Sequence, residues 1–245
     1  MEKTDFNAGQ AVNNIISWVK EFYFNFDDYK KAVIGISGGK DSTIAATILC
    51  KALGKDRVIG VSIPNGEQGD MADVDAVFEI LGIKRYTVNI LDAYSSILNQ
   101  VALTHTRKSI ENLPPRLRMS VLYAVAQNEN GFVVNTCNLS EEYIGWSTKW
   151  GDDAGDFALF TDYTKTEVCA MGEYLGLPEN LVNKAPSDGL CGKTDEDKFG
   201  FTYEELDGYI RKTLDLPYEI MGEIQIKHMM AKHKDLSMVI PHPEA

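Results

Sequence analysis

At 245 residues the chain can bury a full core, and 44% hydrophobic with 24% charged residues is ordinary for a globular domain. A formal net charge of -12 repels polyanions and argues against a nucleic-acid binder that neutralises phosphates over a wide surface. Four scattered cysteines with no CxxC pair and histidines that never form HExxH signal neither a disulfide framework nor a zinc cage, and no apolar stretch is long enough to span a bilayer.

The N-terminus MEKTDFNAGQ lacks the basic-then-apolar pattern of a signal peptide, so a cytoplasmic protein is expected. Residues 11–24 come first, with Val12, Ile15, Ile16, Val19 and Phe22 on one stripe of a leading helix. The apolar runs AVIGIS (32–37), VIGVSI (58–63), RYTVNI (85–90) and FVVNT (132–136) then read as strands. A stretch with helical spacing follows each of the first three. Repeated βαβ units close right-handed into a doubly wound parallel sheet flanked by helices, the α/β class, and a single domain over 1–245 is expected.

Beyond the fourth strand the grammar changes. Residues 150–162 (WGDDAGDFALFTD) and 177–201 are long, punctuated and without clear period, and both are candidate lids. Between them Thr164-Lys-Thr-Glu167 forms a capping box opening a helix through Tyr174, and Thr202-Tyr-Glu-Glu205 opens another through Ile210.

The first strand ends in SGGKDST, residues 37–43, ahead of a helix over 43–53. Unpaired N–H groups and the positive dipole end make that junction an anion site, and glycines let a ligand approach the backbone. It is not a Walker loop, because Ile34 stands at the first glycine and Asp41 at the Ser/Thr place, and Gly35 and Gly38 do not make GxGxxG. An acid inside a phosphate nest repels its ligand unless a cation stands between, so Asp41 points to magnesium, with Ser37 and Ser42 as further donors.

SGGKDS resembles the SGGxDS loop of the ATP pyrophosphatases, which cleave ATP between its α and β phosphates. Further strings, PRLRM (115–119), NTCNLSE (135–141), GWSTKWGDDAGD (145–156), TKTEV (164–168), PSDGL (186–190) and TDEDKFGFTYEELDGYI (194–210), resemble the ammonia-dependent NAD synthetases. The resemblance covers nearly the whole chain in the right order. It implies an adenine nucleotide alpha-hydrolase-like sheet of order 3-2-1-4-5, a homodimer, and a ligase. In that reaction ATP adenylates the nicotinate carboxylate of deamido-NAD, pyrophosphate leaves, and ammonia displaces AMP to give NAD.

The same resemblance assigns roles residue by residue. Gly35, Ile36, Ser37, Gly38, Gly39, Lys40, Asp41 and Ser42 would line the ATP phosphates, joined by Thr136, Lys165 and Ser187. Asp41 and Glu141 would hold Mg2+, with Glu142 the alternative to Glu141. A lone acid after a strand is otherwise a helix cap or surface charge. Arg116, Lys149, Asp156, His233 and Lys234 would contact deamido-NAD, the arginine as a planar fork and the lysines as point charges. Arg118, near by, reads equally as a partner for surface acids.

Lys165 opposes the dipole of the helix it opens, which hints at a use other than helix stability, and it would stabilise charge on the α-phosphate. Ammonium must lose a proton to become a nucleophile, and Asp152 is the candidate acceptor. Asp188 for alanine, Pro115 for alanine, Asn135 for glycine and Asp235 for arginine depart from the family strings.

The synthetase pattern leaves no room for a glutaminase domain, so nitrogen would come from free ammonia or a separate partner. The alternatives are the synthetase subunit of another ATP pyrophosphatase amidotransferase and a non-catalytic nucleotide-binding homologue. Neither nucleic acid nor membrane is an expected partner.

Overall fold

The computed structural model describes residues 6–67, 69, 71–101, 106–182 and 194–235. In chain order the elements are α1 (Ala8–Phe26), β1 (Lys31–Gly35), α2 (Lys40–Leu53), β2 (Val58–Ser62), α3 (Met71–Leu81) and β3 (Lys84–Thr87). They continue with α4 (Leu91–Val101), α5 (Arg107–Asn128), β4 (Gly131–Asn138), α6 (Leu139–Ile144), β5 (Phe157–Phe160) and α7 (Lys165–Tyr174). The remaining described elements are α8 (Glu179–Val182), α9 (Asp195–Phe199), α10 (Tyr203–Arg211) and α11 (Tyr218–Asp235).

Five parallel strands form one sheet in the order β3-β2-β1-β4-β5. Val33 of β1 pairs with Ile59 of β2 on one side and Val133 of β4 on the other. The chain thus winds outward from β1 to β3 and resumes beside β1 with β4. Connections leaving β1 and β4 diverge to opposite faces, and the crevice between their carboxyl ends is where such sheets hold ligands.

Both faces of the sheet are covered because the central strands are apolar on both sides. On one face Val12, Ile15 and Val19 of α1 pack with Ile44 and Ile48 of α2 and with Val168 and Met171 of α7. On the other, Met119, Leu122 and Val125 of α5 cover Ile59, Val61 and Val133. A third cluster, made by Ile144, Phe199, Phe201, Tyr203, Leu206 and Ile224, joins α6 to α9, α10 and α11 beside the sheet.

The chain departs from the sequence expectation at β5. Residues 157–160 are an edge strand and not a lid: Phe157, Leu159 and Phe160 are buried, and Trp18, Phe22 and Tyr23 of α1 pack around Phe157 at tilted and edge-on angles. Four residues between glycine- and acid-rich neighbours are too short to display a period. Of the second candidate lid, 183–193 lie outside the described residues, and its flanks form α8 and α9.

One departure from the family strings acquires a physical reason. Pro115 lies inside α5, where a Cβ on Gly151 would come within 2.9 Å of its Cβ, an atom alanine shares, so nothing in the structure explains proline there. The Asn135 amide donates to the carbonyls of Asp152 and Ala154 at 2.9 and 3.1 Å, and its oxygen accepts the Cys137 N–H at 2.8 Å. It stitches β4 to the loop ahead of β5.

Candidate active site

β1 stops at Gly35 and α2 starts at Lys40, with Gly39 as an extended N-cap whose helix end has no side-chain cap. The helix N–H groups are left for another acceptor. Gly38 has φ +75, and a Cβ there would meet the Asp73 Cβ at 3.0 Å and the Val74 backbone nitrogen at 3.1 Å, so both conformation and space require glycine. Ser37 accepts the Gly39 N–H through its hydroxyl at 3.2 Å, and the Ser42 hydroxyl donates to the Gly39 carbonyl at 3.1 Å. The serines therefore fasten the turn as well as bordering it.

Asp41 on the first turn of α2 and Glu141 on the first turn of α6 converge on one side chain from a third element. The Lys165 Nζ lies 2.5 Å from Asp41 Oδ2 and 3.0 Å from Glu141 Oε1, with Lys165 only 4% exposed. Burial alone would push the lysine down, but the Asp41 and Glu141 carboxylates outweigh it and hold the ammonium well above the ordinary lysine range. Burial pushes Glu141 upward, with Asp41 adding to the push and Lys165 opposing it.

Glu141 is both a cap and a site acid. Its Oε2 accepts the Asn138 N–H at 3.3 Å in a capping box while Oε1 meets Lys165. Asn138, fully buried, also extends its amide toward Asp41 Oδ1 at 3.4 Å, so one residue orients both acids. Sequence reasoning passed over it. The signal present was the Asn-x-x-Glu spacing of 138–141, an N-cap pattern directly after a strand.

Next to this triad lies a cavity of about 310 Å³ bordered by Lys40, Lys165, Cys169, Glu196 and Tyr203. A second, of about 670 Å³, is bordered by Arg116, Tyr123, Lys149, Trp150, Asp153 and Lys234. Three of the five candidate dinucleotide contacts therefore share one concavity.

Their present bonds knit it together. Arg116 Nε donates to the Lys149 carbonyl at 3.1 Å, Lys149 Nζ to the His233 carbonyl at 2.9 Å, and Lys234 Nζ to the carbonyls of Gly145 and Ser147 at 2.6 and 2.5 Å. Asp156 accepts the Val133 N–H at 2.7 Å and faces the Tyr123 hydroxyl at 3.4 Å. His233 turns its Nδ1 back to the Met230 carbonyl of its own helix. Arg118 Nε donates to the Ile63 carbonyl at 3.0 Å, fastening α5 to the end of β2.

Asp152 accepts the Thr148 N–H at 2.9 Å, a local loop bond. Burial of the carboxyl pushes it up and the Thr148 N–H pulls the other way, although the residue as a whole is exposed. Buried Cys137 lies between the two acidic groups, its thiol pushed well up by burial and then by Glu141 and Asp152. Thr136 is half-buried near the end of β4, and Ser187 lies outside the described residues.

Among the described residues no three acids, histidines or cysteines cluster as a metal cage. Magnesium asks for less: one or two carboxylates, with substrate oxygens completing the shell. Asp41 and Glu141, hard donors already gathered around one positive charge, fit that demand.

The sequence profile of the family described as NAD synthase matches residues 11–238. The NH(3)-dependent NAD(+) synthetase of Pyrococcus furiosus is 36% identical over 231 residues, 93% of this chain and 88% of that one. Among solved structures, the NMN synthetase of Francisella tularensis superposes with a TM-score of 0.90 at 33% identity, covering 97% of this chain and 99% of that one. The NH3-dependent NAD synthetase of Campylobacter jejuni gives 0.79 at 25% identity, covering 96% and 99%.

Proposed function

Because the chain belongs to the NAD synthase family, we propose that it is an ammonia-dependent ligase that makes NAD from deamido-NAD, ATP and ammonia. The observation that carries the catalytic reading is the convergence of Asp41 and Glu141 on Lys165 beside an uncapped, glycine-bounded helix start.

In this reading the loop from Gly35 to Ser42 cradles the ATP phosphates on the N–H groups at the start of α2. Asp41 and Glu141 would hold Mg2+, which when bound supplies positive charge to the phosphate oxygens. A nicotinate carboxylate oxygen bonds to the α-phosphorus as the bond to pyrophosphate breaks, and Lys165 offsets the charge that develops there. Ammonium gives up a proton to solvent or to Asp152, the resulting ammonia attacks the acyl carbon and sheds a second proton to solvent, and AMP leaves with the bonding pair. Arg116, Lys149 and Lys234, which border the larger cavity, orient the pyridine nucleotide together with Asp156 and His233, and Thr136 and Ser187 contact ATP.

The chain acts as one domain and takes free ammonia. Glutamine as sole nitrogen source should then give no turnover in purified protein, and turnover with glutamine would refute this. A homodimer is proposed from the family, to be checked by light scattering, and the site as described needs neither nucleic acid nor a membrane. No helix among the described residues is long and apolar enough to cross a membrane.

A second reading concerns the acceptor. The Francisella tularensis protein, at a TM-score of 0.90, is an NMN synthetase, so nicotinate mononucleotide competes with deamido-NAD as the acid amidated here. Both carry the same carboxylate, and the choice falls on groups beyond the ribose phosphate. The deciding assay supplies ATP, magnesium and ammonium with each acid in turn and compares kcat/KM. Preference for deamido-NAD is expected. A preference of tenfold or more for the mononucleotide establishes the second reading, and turnover of neither removes both.

A further inference from the structure

α7 opens with a lysine, the charge least suited to the positive end of a helix. Its neighbours supply the offset. Asp207, in the middle of α10, is 4% exposed, and its Oδ2 accepts the Thr166 backbone N–H at 2.8 Å. Its Oδ1 accepts the hydroxyl of fully buried Ser140 at 2.5 Å, and that hydroxyl accepts the Lys165 backbone N–H at 2.8 Å. One carboxylate and one hydroxyl thus satisfy two of the orphan N–H groups at the start of α7 and bind them to α6.

The groups held this way adjoin the chemistry. Ser140 immediately precedes Glu141, and Thr166 immediately follows Lys165. The 3.0 Å contact between Glu141 and Lys165 therefore depends on how α6 and α7 are set against each other, and Asp207 is bonded to both. Arg211, one turn further along α10, adds an outer tie by donating to Glu167 at 2.8 and 2.6 Å and to the Asp162 carbonyl at 2.7 Å. Burial pushes the Asp207 carboxyl up, while the donors from Ser140 and Thr166 pull the other way.

We infer that Asp207 is a positioning residue: acting through Ser140 and the first turn of α7, it fixes Glu141 and Lys165 at the separation that metal and nucleotide require. It touches neither ligand. The inference rests on the proposed function for what Glu141 and Lys165 do, but the tie itself does not.

Three variants of the full chain test it: Asp207→Ala, Ser140→Ala and Asp207→Asn. An asparagine can turn its oxygen to the Thr166 N–H and its amide to the Ser140 hydroxyl, keeping the tie without the charge. Binding of Mn2+ with ATP, followed by the paramagnetic signal of the ion with no pyridine nucleotide present, should weaken about tenfold in both alanine variants, the usual effect of losing a supporting group. The KM for ATP should rise with it and kcat fall about 100-fold, while the KM of the pyridine nucleotide stays within about twofold. Asp207→Asn should recover most of the loss.

Wild-type Mn2+ and ATP affinity and kcat in folded Asp207→Ala would overturn the inference. So would reduced stability with unchanged affinity per folded molecule. Should Asp207→Ala not fold, the same readings on Ser140→Ala decide, since that change removes only a hydroxyl. If wild-type protein amidates neither nicotinate nucleotide and the alanine variants still bind Mn2+ and ATP more weakly, the functional reading falls and the positioning role stands.

Discussion

Lys165 is buried and Asp41, partly exposed, is its nearest counter-charge, so removing either does more than delete a contact. Asp41→Ala should abolish pyrophosphate release from ATP, and release at a near-normal rate would refute its place on the phosphates. Lys165→Met leaves Asp41 and Glu141 facing each other without a counter-charge. It should lower kcat by about 10²-fold or more and also lower the denaturation midpoint at neutral pH by an amount that shrinks on acidification, as Glu141, already pushed up by burial, protonates. A loss of kcat with an unchanged midpoint would contradict the buried geometry. The family resemblance of the motif strings already assigned Asp41, Glu141 and Lys165 to one expected site, whereas a charged residue at an element start reads by itself as a cap or surface charge. Asn138 and Asp207 were not legible in the same way. An asparagine before a helix and an acid inside one are ordinary until the third dimension sets them beside Glu141 and Ser140.

β5 carries its own prediction, since the sequence made it a lid and the structure makes it an edge of the core. Phe157→Ala removes a buried ring surrounded by Trp18, Phe22 and Tyr23 and should cost about 3–5 kcal/mol in denaturant unfolding, with the KM values of folded enzyme little changed. A lid would show the reverse, altered KM at unchanged stability. The α7 and α10 capping boxes were legible because a cap is local chemistry, and both formed at Thr164 and Thr202. Thr202→Ala should cost about 1 kcal/mol, read as a lowered urea midpoint at constant slope. α5 hid behind Pro114 and Pro115, which argue against a helix in any sequence reading although the helix runs through both. Strands β1, β2 and β4 announced themselves by β-branched runs. The strand order was reachable only through the family resemblance, because periodicity does not say which strands are neighbours.

Across the molecule as a whole, charge is divided between the two ends of the sheet. Asp41, Asn138 and Glu141 gather past the carboxyl ends of β1 and β4, whereas Glu129, just before β4, clasps the amino ends. Glu129 accepts Lys31 at 2.8 Å and Lys84 at 2.5 Å, and also takes the Tyr86 hydroxyl. The hydrogen bonds from Lys31, then Lys84 and Tyr86, lower its carboxyl from 4.5 to about 2. A depressed carboxyl contributes stability that is present above its unfolded value and disappears as pH falls through the folded one. Unfolding free energy should therefore decline between about pH 4.5 and pH 2, and Glu129→Gln should flatten that part of the curve. At neutral pH the same change should cost about 1–2 kcal/mol, toward the lower figure because both lysines remain partly solvated. An unaltered acid profile in Glu129→Gln would show the clasp to be idle.

Because Glu129 and its partners lie a full strand length away from the loop of residues 35–42, the clasped rim is the natural place to anchor the enzyme to a bead or a biosensor chip. The short turn of Asp28, Tyr29 and Lys30 between α1 and β1 reaches solvent there, so a linker joined at Tyr29 would leave the candidate site turned outward and open to its reagents.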